Sequence, residues 1–311
     1  MKNKKNGLIS FTEACMKACR LSRIPLFSNK YSKKTYTQRQ HACILLLMKK
    51  LKLNYREVVE LLELMPELQS IIGLEHLPHY TTIHKFFQRF SSFMFALLLA
   101  QTARLFELSG IIAIDSTGFS SNYSSRYYMM IKYRQEKGVW SGSYIKNSAA
   151  VDVHSQAVLG IKCRNDHRHD SIDFVPVLKR TVRNMGITKV IADKGYDFER
   201  IHKFARNVLK VDTVIPVRNI RRKKVHGWYR RMLFREFDRE TYNQRNKIET
   251  VFSVIKRRFG DTLYSRSWRL QRKEMKLVCI AYNIHRYVVC FLIRWRISTK
   301  PFKRILIEIS L

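Results

Sequence analysis

Acid is what this sequence is short of. It has 24 Asp+Glu against 59 Lys+Arg, a formal charge of +35 over 311 residues. A compact chain with that imbalance repels itself, and a polyanion relieves the strain. Nucleic acid is the first candidate, because its affinity is dominated by phosphate neutralisation. Ribosomal and histone-like proteins carry similar charge but are usually shorter and poorer in aromatics, whereas this chain has 12% Phe, Trp and Tyr. An anionic membrane surface is a third class of partner, but no amphipathic anchor stands apart from what reads as core helix.

Other absences narrow the field. The six cysteines (Cys15, Cys19, Cys43, Cys163, Cys279 and Cys290) form no CxxC pair. The basic start, Met1-Lys-Asn-Lys-Lys, is not followed by an apolar run of signal-peptide type. The expectation is a cytoplasmic, DNA-associated protein with free thiols. Cys163, His167 and His169 can be drawn as a metal cluster, but Arg164 and Arg168 stand among them and a fourth zinc ligand at standard spacing is missing. A bilayer span needs about 20 mostly apolar residues. Phe93 to Ala100 is too short, and Leu277 to Ile293 contains Asn283, His285 and Arg286. Both read as core helices, and no membrane partner is expected. There are no internal repeats and no low-complexity linkers. With 46% hydrophobic residues the chain can bury a core.

The first 30 residues are basic and weakly patterned. Thr37 to Lys52 has helical spacing, and Asn54 is a plausible N-cap for Tyr55 to Leu64. Thr81 or Thr82 is expected to cap the segment Ile83-His-Lys-Phe-Phe-Gln-Arg-Phe. A helix-turn-helix unit and a plain helical bundle fit this pattern about equally. The basic charge favours DNA contact, with Thr82 and Lys85 as candidate DNA-binding residues. Near residue 110 the texture changes. Ile111-Ile-Ala-Ile-Asp115 and Lys189-Val-Ile-Ala-Asp193 are apolar runs ending in carboxylates. Ser143 to Val153 and Ala157 to Arg164 read as a strand pair, Asp170 to Met185 and Phe198 to Val208 as helices, and Thr213 to Val217 as a strand. Tyr242 to Phe259 and Leu277 to Arg294 read as two further helices. The predicted fold is α/β: a mixed sheet of ribonuclease H-like order flanked by helices, with an all-helical N-terminal domain. The boundary is set at 1–105 for the helical, DNA-binding domain and 106–311 for the ribonuclease H-like one.

Asp115 and Asp193 each precede a nearby glycine, in Asp115-Ser-Thr-Gly118 and Asp193-Lys-Gly195-Tyr196. Glycine lets the chain turn away and leaves the carboxylate exposed at a strand end. Each aspartate alone is more simply a turn former, but two in so acid-poor a chain suggest a shared site. On a helical wheel, Arg245, Glu249 and Lys256 fall within roughly 60° of Tyr242, while Ile248, Val251, Phe252 and Ile255 cover the adjoining arc. Glu249 therefore borders an apolar face. The same spacing makes Arg245 and Glu249 an ordinary i,i+4 ion pair.

Tyr242-x2-Arg245-x3-Glu249-x6-Lys256 resembles the Y-(2)-R-(3)-E-(6)-K signature of DDE-type insertion-sequence transposases. Asp193-Lys-Gly-Tyr196 resembles their second-aspartate motif, Asp115-Ser-Thr-Gly118 their first, and His169-Asp170-Ser171 the segment before the second. The resemblance spans roughly Ile111 to Tyr287 and is weaker over Thr37 to Phe90. The 56 positions from Asp193 to Glu249 leave no room for the family's large β insertion.

The resemblance implies a transposase that cuts at its element's ends and joins them to target DNA. Asp115, Asp193 and Glu249 would be the catalytic metal ligands of two Mg²⁺ ions, with Mn²⁺ as a substitute. Two such ions clamp an in-line displacement at phosphorus. Tyr242, Arg245 and Lys256 would hold the DNA end. Separately from the signature, the basic run Arg218 to Arg231, with Arg221, Arg222, Lys223, Lys224, Trp228 and Tyr229, is a candidate for phosphate contact and stacking, against a plain solvated loop. The expected partners are double-stranded DNA, as terminal inverted repeats and as target, and a second copy of the chain on DNA. A purely hydrolytic nuclease of this fold, or a repressor-like protein with a decayed site, are the alternatives.

Overall fold

Capping chemistry marks out the N-terminal helices. In the computed structural model, which describes residues 6–121, 144–165, 168–218 and 225–299, α1 (Gly7–Leu21) starts at Asn6. α2 (Gln38–Leu51) and α3 (Tyr55–Leu64) open on full capping boxes, Thr37 with Gln40 and Asn54 with Glu57. Each box satisfies two backbone donors that the first helical turn leaves unpaired. α4 (Pro66–Ile72) begins on proline and ends at Gly73, whose φ of 75° is the left-handed cap glycine supplies without strain. α5 (Tyr80–Arg89) follows.

Two of these helices differ from expectation. α1 lies in the stretch read as unpatterned, because its buried face is made of small side chains (Ala14, Cys15, Ala18, Cys19) around Phe11. α5 begins at Tyr80, so Thr81 and Thr82 sit in its first turn rather than at its cap. Thr82 N–H donates to the His79 carbonyl at 2.8 Å, and the Thr81 hydroxyl pairs with His79 Nδ1.

The chain forms two compact units, Met1–Arg89 with Ala281–Leu311, and Phe90–Ile280. The first has a helical core including Cys15, Leu45, Val58, Leu62 and Ile83. Its last element is the C-terminal part of the long helix α12 (Trp268–Thr299), where Lys50 Nζ meets His285 Nδ1 at 2.8 Å. α6 (Ser92–Ala103), expected on the N-terminal side of the 105/106 boundary, belongs to the second unit and packs beside its sheet. Part of α12 is long and apolar enough to cross a bilayer, but half of that stretch is buried in protein.

Among the described residues, the second unit has six strands: β1 (Ile111–Ser121), β2 (Tyr144–Asp152), β3 (Val158–Arg164), β4 (Lys189–Ala192), β5 (Asp212–Val214) and β6 (Thr262–Leu263). Their order is β3-β2-β1-β4-β5, with β6 joined to β1. β1 to β3 are antiparallel neighbours, while β4 and β5 run parallel to β1. α7 (Ser171–Asn184) lies over one face, where Ile112, Ile114 and Ala150 meet Phe174, Val177 and Leu178 in the core. Gly160 on β3 allows that approach, since a Cβ there would stand 2.8 Å from Thr181 Oγ1. This is the mixed sheet flanked by helices that the sequence predicts.

Several boundaries differ. β5 is only three residues long, because Pro216 cannot extend the ladder. The helix over Phe198 to Val208 is α8 (Glu199–Lys203) followed by a π turn at Phe204–Val208. α9 (Trp228–Arg235) lies in the basic stretch. The predicted helix Tyr242 to Phe259 is two: α10 (Arg239–Asn243) and α11 (Asn246–Phe259).

Candidate active site

β1 does not stop at Asp115. It runs on to Ser121, so Asp115 lies mid-strand opposite Ala149. The expected chain reversal at Gly118 is absent. Gly118 pairs with Lys146 across the ladder and leaves space for the Tyr144 ring, which a Cβ would overlap. The opening beside Asp115 comes from the other neighbour. β4 pairs with β1 only as far as Ile114, and β6 takes over at Ser120. Asp115 thus sits where a strand ends beside it, the position at which open α/β sheets place their sites.

Asp193 follows β4 directly. Ala192 pairs with Ile114, so the next residues on the two parallel strands are Asp193 and Asp115. A 3₁₀ turn, Lys194–Tyr196, then leads away. Tyr196 is buried, and its hydroxyl meets Ser116 Oγ at 3.2 Å. Ser116 Oγ contacts Ser148 Oγ at 2.8 Å, and Ser148 leads on to the buried Asp173, the partner of Arg164. The polar line behind Asp115 is therefore internally satisfied. Burial pushes the Tyr196 phenol well above its ordinary pKa.

α11 lies along the face of β1 that carries Asp115, burying Ile248, Val251, Phe252 and Ile255. The junction before it is tightened into three-residue hydrogen-bond steps: Arg245 N–H to the Tyr242 carbonyl at 2.9 Å and Ile248 N–H to the Arg245 carbonyl at 3.1 Å. Tyr242 consequently belongs to a separate short helix and not to the wheel that predicted it. Arg245 bridges the two acids on this side. Its Nη1 is 3.2 Å from Asp115 Oδ2, and its Nη2 is 2.6 Å from Glu249 Oε1. Farther along, Lys256 Nζ lies 5.6 Å from the centre of the Phe119 ring.

Electrostatics tie the group together. Burial raises the Asp115 pKa; the Ser116 N–H and Arg245 oppose this, while Asp193 and Glu249 add to it. Burial works against the Arg245 charge, but Glu249 and Asp115 outweigh it and raise its pKa. Tyr242 is raised by burial, with Arg245 pulling it down and Asp193 pushing it up.

Asp115, Asp193 and Glu249 form an all-oxygen set suited to a hard divalent cation. Yet among the described residues no three of His, Cys, Asp and Glu lie close enough to hold an ion. The cation between Asp115 and Glu249 is the Arg245 guanidinium. The donor chemistry fits, and the space is taken by the protein's own positive charge. Of the Cys163, His167 and His169 group, His167 lies outside the described residues, and Cys163 is buried, with its pKa pushed up to about 12 by burial.

A network behind Asp193 was not anticipated. Arg218 donates from Nε to the Lys194 carbonyl and from Nη2 to the Gly195 carbonyl, holding the turn that follows Asp193. Its N–H donates to Asp197 Oδ2 at 2.8 Å. The Asp197 side chain is fully buried and also takes Arg230 Nη2 at 2.7 Å and His202 Nε2 at 3.2 Å. Glu199 accepts from the backbone N–H groups of Trp228, Tyr229 and Arg230, capping α9 from outside the segment. Arg218 and Arg230, read from sequence as part of a DNA-contacting run, are thus engaged internally. Arg221, Arg222, Lys223 and Lys224 lie outside the described residues. Trp228 is 61% exposed, so its ring is accessible. Thr82 is half-buried and Lys85 exposed on α5, in the other unit.

A family profile described as the transposase DDE domain matches residues 107–284, more than half of the chain. The chain belongs to the DDE transposase family. No curated protein sequence matches it. Among solved structures, the cryo-EM structure of the piggyBac transposase synaptic complex with hairpin DNA is similar at 11% identity and a TM-score of 0.42, covering 96% of this chain and 74% of that one. The matched family region begins just before β1 and ends within α12, so this transposase carries its family domain on the sheet that bears Asp115 and Asp193.

Proposed function

We propose that this transposase binds the ends of a mobile element, cleaves them and transfers the strands to target DNA, using Asp115, Asp193 and Glu249 as its catalytic carboxylates. The observation that carries the reading is convergence. Asp115 and Asp193 are level on neighbouring parallel strands, and Glu249 reaches Asp115 through one shared guanidinium. Two Mg²⁺ ions, or Mn²⁺ in their place, would be held by these three side chains and would supply Lewis-acid activation of a phosphodiester.

The chain's own residues do the positioning. The β1–β2 ladder fixes the Asp115 backbone, Arg218 fixes the turn after Asp193, and the buried face of α11 fixes Glu249. Tyr242, Arg245 and Lys256, spaced as in the signature Y-(2)-R-(3)-E-(6)-K, form a cationic and aromatic margin for the DNA end. Arg245 suits a forked contact to phosphate and Lys256 a point charge. Trp228 offers a stacking surface beside them in sequence. Thr82 and Lys85 on α5 are assigned to end recognition within the helical N-terminal unit, since sequence readout needs a module apart from the catalytic centre. Strand transfer joins two ends at once, so the working form is a dimer on DNA.

Glu249→Gln is expected to bind duplex DNA as wild type does and to lose Mg²⁺-dependent nicking; undiminished nicking would remove Glu249 from the catalytic set. Lys256→Ala is expected to weaken DNA binding and reduce the slope of log affinity against log salt by about 1. An unchanged slope would show that Lys256 serves only its Phe119 contact.

A further inference from the structure

One group of side chains lies outside everything assigned so far: a crowd of cations at the β3 edge of the sheet. Lys162 and Arg164 project from β3 itself. From α7, Arg180 donates to the Ile161 carbonyl on that strand at 3.3 Å, and Lys179 and Arg183 are exposed around it. From α12 come Arg272 and Lys276, the latter anchored by the Ser92 carbonyl and hydroxyl at 2.7 and 2.8 Å.

These groups feel one another. Burial lowers the Lys162 pKa, and Arg180, Arg164 and Arg272 lower it further. Burial brings Lys276 down to about 8, with Arg180 and Arg272 adding to the effect. The acid that acts on Lys162 is Asp173, which is buried and already paired with Arg164. Folding gains nothing from gathering like charges from three elements around one committed carboxylate. Such local conflicts persist where a ligand resolves them.

Register gives the edge a fixed relation to the carboxylates. Asp115 stands opposite Ala149, and Ala149 opposite Ile161. Two strand spacings put Ile161 about 10 Å from Asp115 across the sheet. That is less than the ~12 Å width of the DNA major groove. Lys162 pairs with Ser148 and Ser148 with Ser116, so Lys162 and the α7 residue Arg180 lie on the sheet face opposite Asp115, and the flank of a duplex held at Asp115 meets them where it passes the β3 edge.

We propose that Lys162, Arg180, Arg272 and Lys276 form a second phosphate-binding surface, gripping the backbone of duplex DNA that flanks the bond presented to Asp115. The choice of DNA as the polyanion rests on the transposase reading; the surface itself does not. Its contacts are to backbone, so it adds affinity without sequence preference.

The test uses the full chain and a labelled duplex of about 30 base pairs and arbitrary sequence, followed by anisotropy between about 50 and 200 mM salt. Replacing Lys162, Arg180 and Arg272 together by Ser is expected to flatten the slope of log affinity against log salt by about 2 to 3, at 0.9 per phosphate contact. The single variant Arg180→Gln, on an exposed residue, is expected to flatten it by about 1. Nicking in Mg²⁺ at saturating DNA keeps its rate, while the DNA concentration for half-maximal rate rises. A photo-crosslinker on Arg180→Cys is expected to attach to the duplex.

Unchanged slopes in both variants overturn the proposal. So does binding to phosphatidylserine vesicles that falls in the triple variant while DNA binding does not. The two readings fail separately. A wild-type chain that never nicks, but whose slope drops in the variants, sinks the cleavage chemistry alone. Normal nicking with unchanged slopes sinks the edge alone.

Discussion

Asp197 is the residue whose loss is expected to register most clearly in stability, and pH shows why. Its carboxylate is buried among Arg230, His202 and the Arg218 N–H, and although burial opposes ionisation, these partners lower its pKa from 3.8 to about 2. A depressed carboxylate contributes stability that is present above its unfolded pKa and lost as pH falls through the folded one. That lowering corresponds to about 2 kcal/mol at neutral pH. Between pH 6 and pH 3, linkage removes about 1 kcal/mol of it. Asp197→Asn cannot titrate and leaves Arg230, itself only 19% exposed, without its charge partner. The variant is therefore expected to be less stable at pH 6, by about 3 kcal/mol or more. The gap to wild type is expected to narrow by about 1 kcal/mol at pH 3. Urea unfolding of both proteins at the two pH values measures this directly. A gap that stays constant with pH would mean the carboxylate is not held ionised by these partners, and the brace behind Asp193 would be wrong.

Arg245→Ala is expected to lower the melting temperature by a few degrees without metal. Its two ion pairs are partly exposed and screened, together contributing about 1 kcal/mol. Mg²⁺ is expected to raise the melting temperature of this variant more than that of wild type, because the acids lose their internal cation; equal shifts in calorimetry would refute the link. Gly160→Ala is expected to destabilise by about 1–3 kcal/mol, since the new methyl group meets Thr181 Oγ1. Adding Thr181→Ala is expected to restore most of that in thermal melts, and no recovery would place the strain elsewhere.

The sheet and its helices were legible because their signals are local. Apolar runs of four or five residues, the N-cap at Asn54, and the 3.6-residue stripe of Ile248, Val251, Phe252 and Ile255 are all written in short windows. The α1 helix was not, since cysteine and alanine give a weak apolar signal. Periodicity also could not show that β1 continues beyond Asp115. The segment Ser116 to Ser121 is polar, and it stays extended because β2 and then β6 pair with it, which are long-range events. The break at Gln244–Arg245 was hidden for a related reason: a three-residue hydrogen-bond step keeps nearly helical dihedrals and leaves little trace in composition. The Asp197 brace joins residues 33 positions apart, and charge alone made its two arginines look like solvent-facing ones.

The placement of Asp115 inside a continuous ladder separates what this protein can do from whether it folds. Its backbone is held by β2 on one side regardless of the side chain, and the carboxylate is a half-buried charge, paired with Arg245, that no strand needs. An asparagine there would relieve the crowding and disturb no strand. On the proposed function, a copy of the gene damaged at that codon would still make a well-formed chain, with its basic surfaces intact and without its catalytic carboxylate. Such a product would occupy the same DNA as its active siblings. Under that reading, loss of Asp115 would yield a competitor, and a growing number of such copies would restrain the element that produced them.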